Sequence, residues 1–115
     1  MKIFLSFGYA LNGIWQCCKK ELNFRIHLFM MSIAILLSIC FSISKIEWVL
    51  IVMCCMSVVV TEMINTALEN IGDHINKAFH PTIKIIKDIA AGAVLVSAIG
   101  SSIIGCIIFI PKIFN

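Results

Sequence analysis

The chain has 115 residues, of which 61% are hydrophobic and 13% are charged, and its formal net charge is +3. With a mean hydropathy of +1.06, it is too apolar to form a soluble surface around a core of this size. The composition excludes a soluble enzyme and predicts a small integral membrane protein. The positive charge is typical of membrane proteins and does not require nucleic acid as a partner.

A single domain with an all-α membrane architecture is predicted for the whole chain. The first segment is an amphipathic helix on the membrane surface, because Phe4, Leu11 and Trp15 recur at helical spacing. Three apolar segments follow, and each is expected to cross the bilayer, which requires about 20 residues. The second reaches that length only if its helix continues past Glu62. The predicted boundaries are 1–26 for the surface helix and 27–45, 47–74 and 81–111 for the three spans.

The basic residues are divided unequally between the two sides of this topology. Lysine and arginine accumulate on the cytoplasmic side of membrane proteins. The larger group lies on the side of the N-terminus, which predicts a multi-pass protein with a cytoplasmic N-terminus. That group contains Lys2, Lys19, Lys20, Arg25, Lys77, Lys84 and Lys87, whereas Lys45 and Lys112 lie on the opposite side.

The third predicted span carries four small residues at a strict four-residue spacing, which are Ala93, Ser97, Ser101 and Gly105. This repeat allows two helix backbones to approach closely. Three thin spans from one chain nevertheless bury little surface against one another. We therefore expect close helix packing along this face, and an oligomer.

The second span has four polar residues on one face, which are Glu62, Asn65, Glu69 and Asp73. At 100° per residue, their directions fall within about 80° of one another and the row rises ~16 Å along the helix. Such a row cannot face lipid. It must face the protein interior or a water-lined cleft near the cytoplasmic boundary.

Glu21, Lys87 and Asp88 are expected at a similar depth, so several carboxylates and lysines converge on one level of the membrane. Paired carboxylates hold Mg²⁺, which bridges protein oxygens to phosphates, and lysines neutralise phosphate charge. Glu62 is the deepest carboxylate and the best candidate to take a proton from a membrane-dissolved alcohol. The pattern indicates phosphoryl transfer to a lipid alcohol, although the chain contains no P-loop or kinase glycine motif.

The same residues resemble the signature of the prokaryotic diacylglycerol kinase family. The matching segments are 62–73, 80–81 and 87–96, with further similarity at 6–15, 21–27 and 108–112. The outer segments are similar to the Gram-positive branch, whose members are mainly undecaprenol kinases. The resemblance implies a kinase of a bacterial cytoplasmic membrane that uses ATP and Mg²⁺, acts on a lipid alcohol and forms homotrimers with active sites shared between subunits.

The resemblance also implies roles for individual residues. Glu62 matches the general base, while Glu21 and Glu69 match the carboxylates that hold the metal on the nucleotide. Asn23 and Arg25 are expected beside Glu62 at the lipid acceptor. The positions that match the nucleotide site are Tyr9, Glu21, Asn65, Glu69, Asp73, Ala78, Phe79, His80, Lys87 and Asp88.

Two positions depart from the family pattern. Gly72 stands where a β-branched residue is usual, which is expected to loosen the helix at that point. Asn12 replaces a residue that is often basic, which predicts the loss of a phosphate or headgroup contact.

Two other functions are compatible with parts of this pattern. Diacylglycerol is the alternative acceptor to undecaprenol, because both present a primary hydroxyl on an apolar body. A small proton-coupled transporter subunit is an alternative of another class, in which Glu62 would carry a proton within the membrane. That alternative leaves the cluster of Glu69, Asp73, Lys87 and Asp88 unexplained.

Overall fold

The protein is described by a computed structural model that covers residues 2–75 and 80–115 and consists of four helices in these ranges. Helices α2, α3 and α4 are each long and apolar enough to cross a membrane. The predicted all-α membrane fold with one preceding helix and three spans is confirmed. The helices are α1 (Lys2–Lys20), α2 (Leu22–Cys40), α3 (Lys45–Ile75) and α4 (Pro81–Ile113).

The corner between α1 and α2 lies earlier than predicted. Glu21 has an extended backbone with φ −109° and ψ 112°, and α2 then runs from Leu22 without interruption. Residues 22–26 therefore belong to the first span rather than to the surface helix. The guanidinium of Arg25 donates hydrogen bonds to the carbonyls of Cys18 (3.4 Å) and Lys19 (3.1 Å), which would otherwise lack partners at the end of α1.

The turn between α2 and α3 is fixed by a reciprocal cap. The Ser44 hydroxyl accepts a hydrogen bond from the Glu47 N–H (3.2 Å), and the Glu47 carboxylate accepts one from the Ser44 N–H (3.0 Å). The other carboxylate oxygen of Glu47 lies 3.1 Å from the Lys112 Nζ. This ion pair joins the start of α3 to the end of α4.

Small residues allow α4 to pack closely along α3. The hydroxyls of Ser57 and Ser97 are 2.7 Å apart, and the Ser101 hydroxyl donates to the Cys54 carbonyl at 3.4 Å. Both α4 serines belong to the predicted small-residue repeat. These hydrogen bonds satisfy hydroxyl groups in the middle of two apolar spans, where no water is at hand.

A small apolar cluster closes the end of the bundle away from α1. It consists of Ile43, Ile51, Ile108 and Phe109. Elsewhere, most large apolar side chains of the spans are exposed on the single chain, as is expected of helices that face lipid or other subunits.

Gly72 permits a close approach between α3 and α4. A Cβ atom at this position would lie 3.0 Å from the Ile83 Cγ2 and 3.0 Å from the Lys87 Cε. Lys87 passes over Gly72 to form an ion pair with Asp73. The expected loosening of the helix is not observed, since α3 continues through Gly72 to Ile75.

This contact predicts that Gly72→Val destabilises the protein. Overpacking of this kind costs about 1–3 kcal/mol, so thermal unfolding in detergent should occur at a lower temperature than in the wild type. Gly8→Val is a matched control, because a Cβ atom at Gly8 meets nothing within 4 Å. A Gly72→Val variant that unfolds at the wild-type temperature would contradict the close approach.

Candidate active site

A buried carboxylate lies at the centre of the candidate site. Glu62, on α3, is only 2% exposed. Its Oε2 atom lies 3.6 Å from the Nε2 atom of His27 on α2. This separation is longer than a hydrogen bond and within the range of an ion pair. The burial of Glu62 is costly in an apolar chain, so its position calls for a functional explanation.

The polar face of α3 continues from Glu62 towards α1 and the start of α4. Asn65 is buried, and its Nδ2 donates a hydrogen bond to the Glu69 Oε1 at 3.2 Å. The other amide atom, Oδ1, has no hydrogen-bond partner among residues 2–75 and 80–115. Asn65 therefore holds Glu69 with one atom and leaves the other available for a ligand.

Thr66 presents a second buried polar atom without a partner in the described part of the chain. It lies one helical turn after Glu62, on the same face. A helical threonine commonly bonds to its own backbone, and Thr61 does so, with its hydroxyl 2.9 Å from the Ser57 carbonyl. Thr66 makes no such bond within the described residues, so its hydroxyl is a buried polar group whose partner is not identified there.

Two ion pairs lie beyond the buried layer that Glu62, Asn65 and Thr66 form, and one of them joins α3 to α4. Lys87 pairs with Asp73 across the two helices. Lys84 and Asp88 pair along α4, with their charged atoms 2.6 Å apart. Three of these four residues were predicted at the nucleotide site, and the structure brings Asp73 and Lys87 into direct contact.

His80 shapes the start of α4. Its Nδ1 accepts a hydrogen bond from the Thr82 N–H at 3.2 Å, and Pro81 occupies the first helical position. The neighbouring predicted residues, Ala78 and Phe79, lie outside the described residues.

The remaining predicted residues are found on α1 and at the α1–α2 corner. Tyr9 is 72% exposed on α1. Glu21 is half-buried at the corner, where the charges of Glu21 and Glu69 both act on Glu62. Asn23 and Arg25 are exposed, and the Arg25 side chain donates a hydrogen bond to the Lys19 carbonyl at the end of α1. The corner therefore contributes Glu21 to the layer of Glu62.

Cys17 of α1 lies next to this buried layer. Cys17 is 8% exposed. Burial raises the pKa of its thiol, and the nearby carboxylate of Glu21 raises it further. The side chain is therefore a neutral thiol at physiological pH and contributes packing rather than charge.

An apolar cavity of about 370 Å³ lies between the three spans. His27 and Ile26 line it at the end near Glu62, and Phe109 and Leu37 line it at the other end. The α2 residues that line the cavity extend over about 15 Å of helix. His27 thus has the cavity on one side and Glu62 on the other.

The predicted metal ligands, Glu21 and Glu69, lie with Asn65 among the polar residues of the candidate site. Glu21, Glu69 and the free Asn65 Oδ1 offer oxygen atoms only, which is the donor set that suits a hard cation such as Mg²⁺. Within residues 2–75 and 80–115, no three His, Cys, Asp or Glu side chains are already gathered around one point. The residues fit a metal that is held jointly with phosphate oxygens better than a site enclosed by protein alone.

Two residues beside Glu62, namely His27 and Thr66, were not among the predicted site residues. Thr66 could have been found, because position i+4 from Glu62 lies on the same helical face. His27 belongs to another helix, and its contact with Glu62 follows from the early corner at Glu21, which no sequence pattern indicated.

The chain is similar in sequence to known kinases. A family model described as prokaryotic diacylglycerol kinase matches residues 8–109. The undecaprenol kinase of Bacillus subtilis is 38% identical over 97% of this chain and 91% of its own length. The diacylglycerol kinase of Synechocystis sp. is 32% identical over 98% of this chain and 65% of its own length. That of Escherichia coli is 27% identical over 93% of this chain and 88% of its own length.

The matched segment begins within α1 and ends near the end of α4, so it includes every helix that contributes to the buried layer. The resemblance seen in the sequence is therefore confirmed over nearly the whole chain. The chain belongs to the prokaryotic diacylglycerol kinase family, a family of membrane kinases.

Proposed function

We propose that the protein transfers the γ-phosphoryl group of ATP to undecaprenol and so forms undecaprenyl phosphate. The observation that carries this proposal is the buried carboxylate of Glu62, which lies 3.6 Å from His27, a residue that lines one end of an apolar cavity. An apolar chain with a hydroxyl at its end fits such a cavity. The 38% identity to the Bacillus subtilis undecaprenol kinase supports this choice of acceptor.

Glu62 acts as the general base in this proposal. The acceptor enters between the helices from the lipid and brings its hydroxyl to the Glu62 carboxylate. Glu62 takes the hydroxyl proton, the acceptor oxygen forms a bond to the γ-phosphorus, and the bond between that phosphorus and ADP breaks. The burial of Glu62, which is 2% exposed, keeps water from competing with the lipid as nucleophile.

The nucleotide occupies the outer part of the same polar face. Glu21 and Glu69 would hold Mg²⁺, which on binding neutralises charge on the phosphates. Asn65 holds Glu69 in place through its amide, and Lys87 and Asp73 lie at the edge of this region. We assign Tyr9, Ala78, Phe79, His80 and Asp88 to the nucleotide site, and Asn23 and Arg25 to the acceptor, on the family resemblance alone.

The orientation of the protein in the membrane is also part of the proposed function. The pairing of Glu47 with Lys112 supports a topology in which Lys45 and Lys112 share one side. The opposite side, with most of the basic residues, is then cytoplasmic and contains the N-terminus. The protein acts in a bacterial cytoplasmic membrane as a homotrimer, which would cover part of the exposed apolar surface of the spans.

Diacylglycerol remains the second candidate acceptor. The family description and the 32% identity to the Synechocystis enzyme favour it, and its primary hydroxyl could reach Glu62 in the same way. The transporter alternative loses its support, because the chain belongs to a family of kinases.

Radiolabel transfer tests the proposed acceptor. The purified protein is incubated with γ-labelled ATP, Mg²⁺ and either undecaprenol or diacylglycerol, and the lipid phase is extracted. We expect label in undecaprenyl phosphate, little label in phosphatidic acid, and loss of both when Mg²⁺ is chelated. Label in phosphatidic acid alone would identify diacylglycerol as the acceptor. A lipid phase that stays unlabelled with both acceptors would refute the lipid kinase activity.

The free hydroxyl of Thr66 provides a second test. Thr66→Val preserves the shape of the side chain and removes a buried hydroxyl that lacks a partner in the described residues. Without a ligand this change should leave stability unaltered or raise it, and loss of a ligand contact of ~1–1.5 kcal/mol lowers kcat/KM about tenfold. Thr61→Val is the matched control, since the Thr61 hydroxyl binds its own helix.

Activity of the two threonine variants is measured with the same labelled ATP, and their stability by thermal unfolding. Full activity in Thr66→Val would show that its hydroxyl serves no ligand. A fall in activity accompanied by an equal fall in Thr61→Val would point to a general effect on α3 instead.

A further inference from the structure

His27 occupies a position that the proposed mechanism does not yet use. It lines the apolar cavity on α2, and its Nε2 lies 3.6 Å from the Glu62 carboxylate on α3. Its side chain is 22% exposed, whereas that of Glu62 is 3% exposed. His27 therefore lies between the buried base, the cavity and the more accessible surroundings.

The groups around Glu62 make His27 distinctive. Those that act on the Glu62 carboxylate are His27 from α2, Glu69 from α3 and Glu21 from the corner. Cys17 faces the same layer from α1 as a neutral thiol. Within residues 2–75 and 80–115, α4 contributes no titratable group to this set. His27 is thus the basic member of the set, and its imidazole nitrogen can accept a proton from Glu62.

We propose that His27 is a positioning residue that acts through Glu62, receiving the proton that Glu62 takes from the acceptor and so returning the carboxylate to its ionised form. This inference rests on the proposed function, because it assigns His27 a part in the same transfer. The separation of 3.6 Å requires only a small side-chain rotation to become a hydrogen bond.

The proton balance of the reaction favours such a route. When the acceptor oxygen bonds to phosphorus, its proton passes to Glu62, which must lose it before the next turnover. Glu62 is too deeply buried to exchange protons with water directly. The proton moves from Glu62 to the Nε2 of a neutral His27, and the imidazolium, once its ring has rotated away from Glu62, releases the same proton from Nε2 to water. Glu62 and His27 are thereby returned to their starting states, and no other reactant is consumed.

His27→Gln tests this role, because glutamine retains a hydrogen-bond donor of similar size but cannot carry the proton. We expect kcat with the lipid acceptor to fall roughly 10- to 100-fold, while the KM for ATP stays within about twofold. His74→Gln, which replaces an exposed imidazole on α3 outside the proposed machinery, should match the wild type.

A second variant separates chemistry from packing. His27→Ala opens space next to the cavity, and added imidazole should restore activity by at least about fivefold if the ring serves as a proton carrier. Thermal unfolding and nucleotide binding are measured for every variant, so that kinetics are compared among folded proteins.

Three outcomes would overturn the inference. These are an unchanged kcat in His27→Gln, a lower kcat in His27→Gln with no rescue of His27→Ala by imidazole, and equal losses in His27→Gln and His74→Gln. Wild-type protein that labels lipid while His27→Gln behaves normally removes only the role of His27. Wild-type protein that labels neither lipid removes the proposed function itself.

Discussion

The burial of one carboxylate, that of Glu62, is the constraint on which the rest of this structure depends. A carboxylate within a membrane-spanning helix costs several kcal/mol unless polar groups surround it. His27 approaches the carboxylate from α2 to 3.6 Å, whereas the charges of Glu21 and Glu69 are of the same sign as that of Glu62 and add to the cost. In the proposed mechanism, this unfavourable burial suits Glu62 to remove a proton from a lipid.

Contacts between α3 and α4 hold the two helices together at both ends of the bundle. At the far end, the Glu47–Lys112 ion pair and a small apolar cluster fix the start of α3 against the end of α4. At the near end, Gly72 lets Lys87 cross α3 and reach Asp73. Between these ends the spans remain apart enough to leave an apolar cavity beside His27. The chain thus combines a closely packed α3–α4 pair with an apolar cavity next to His27.

Much of this arrangement could be predicted from the sequence, because helical periodicity governs it. The three spans, the polar face of α3 and the small-residue repeat of α4 all follow from spacing within one helix. Features that depend on contacts between helices could not be predicted. The corner at Glu21 has no proline or glycine to mark it, so α2 was expected to begin five residues later. The contact of His27 with Glu62 and the tight fit at Gly72 depend on how the helices pack.

Glu62→Gln gives the most direct test of the central claim, because the amide preserves the shape of the side chain and removes the base. Lipid phosphate formation and nucleotide affinity are measured on one preparation of this variant. The account predicts a loss of turnover of about 10²–10⁴-fold, with the nucleotide Kd within about twofold of the wild type, since the nucleotide lies on the outer part of the polar face. Turnover close to that of the wild type would contradict the account.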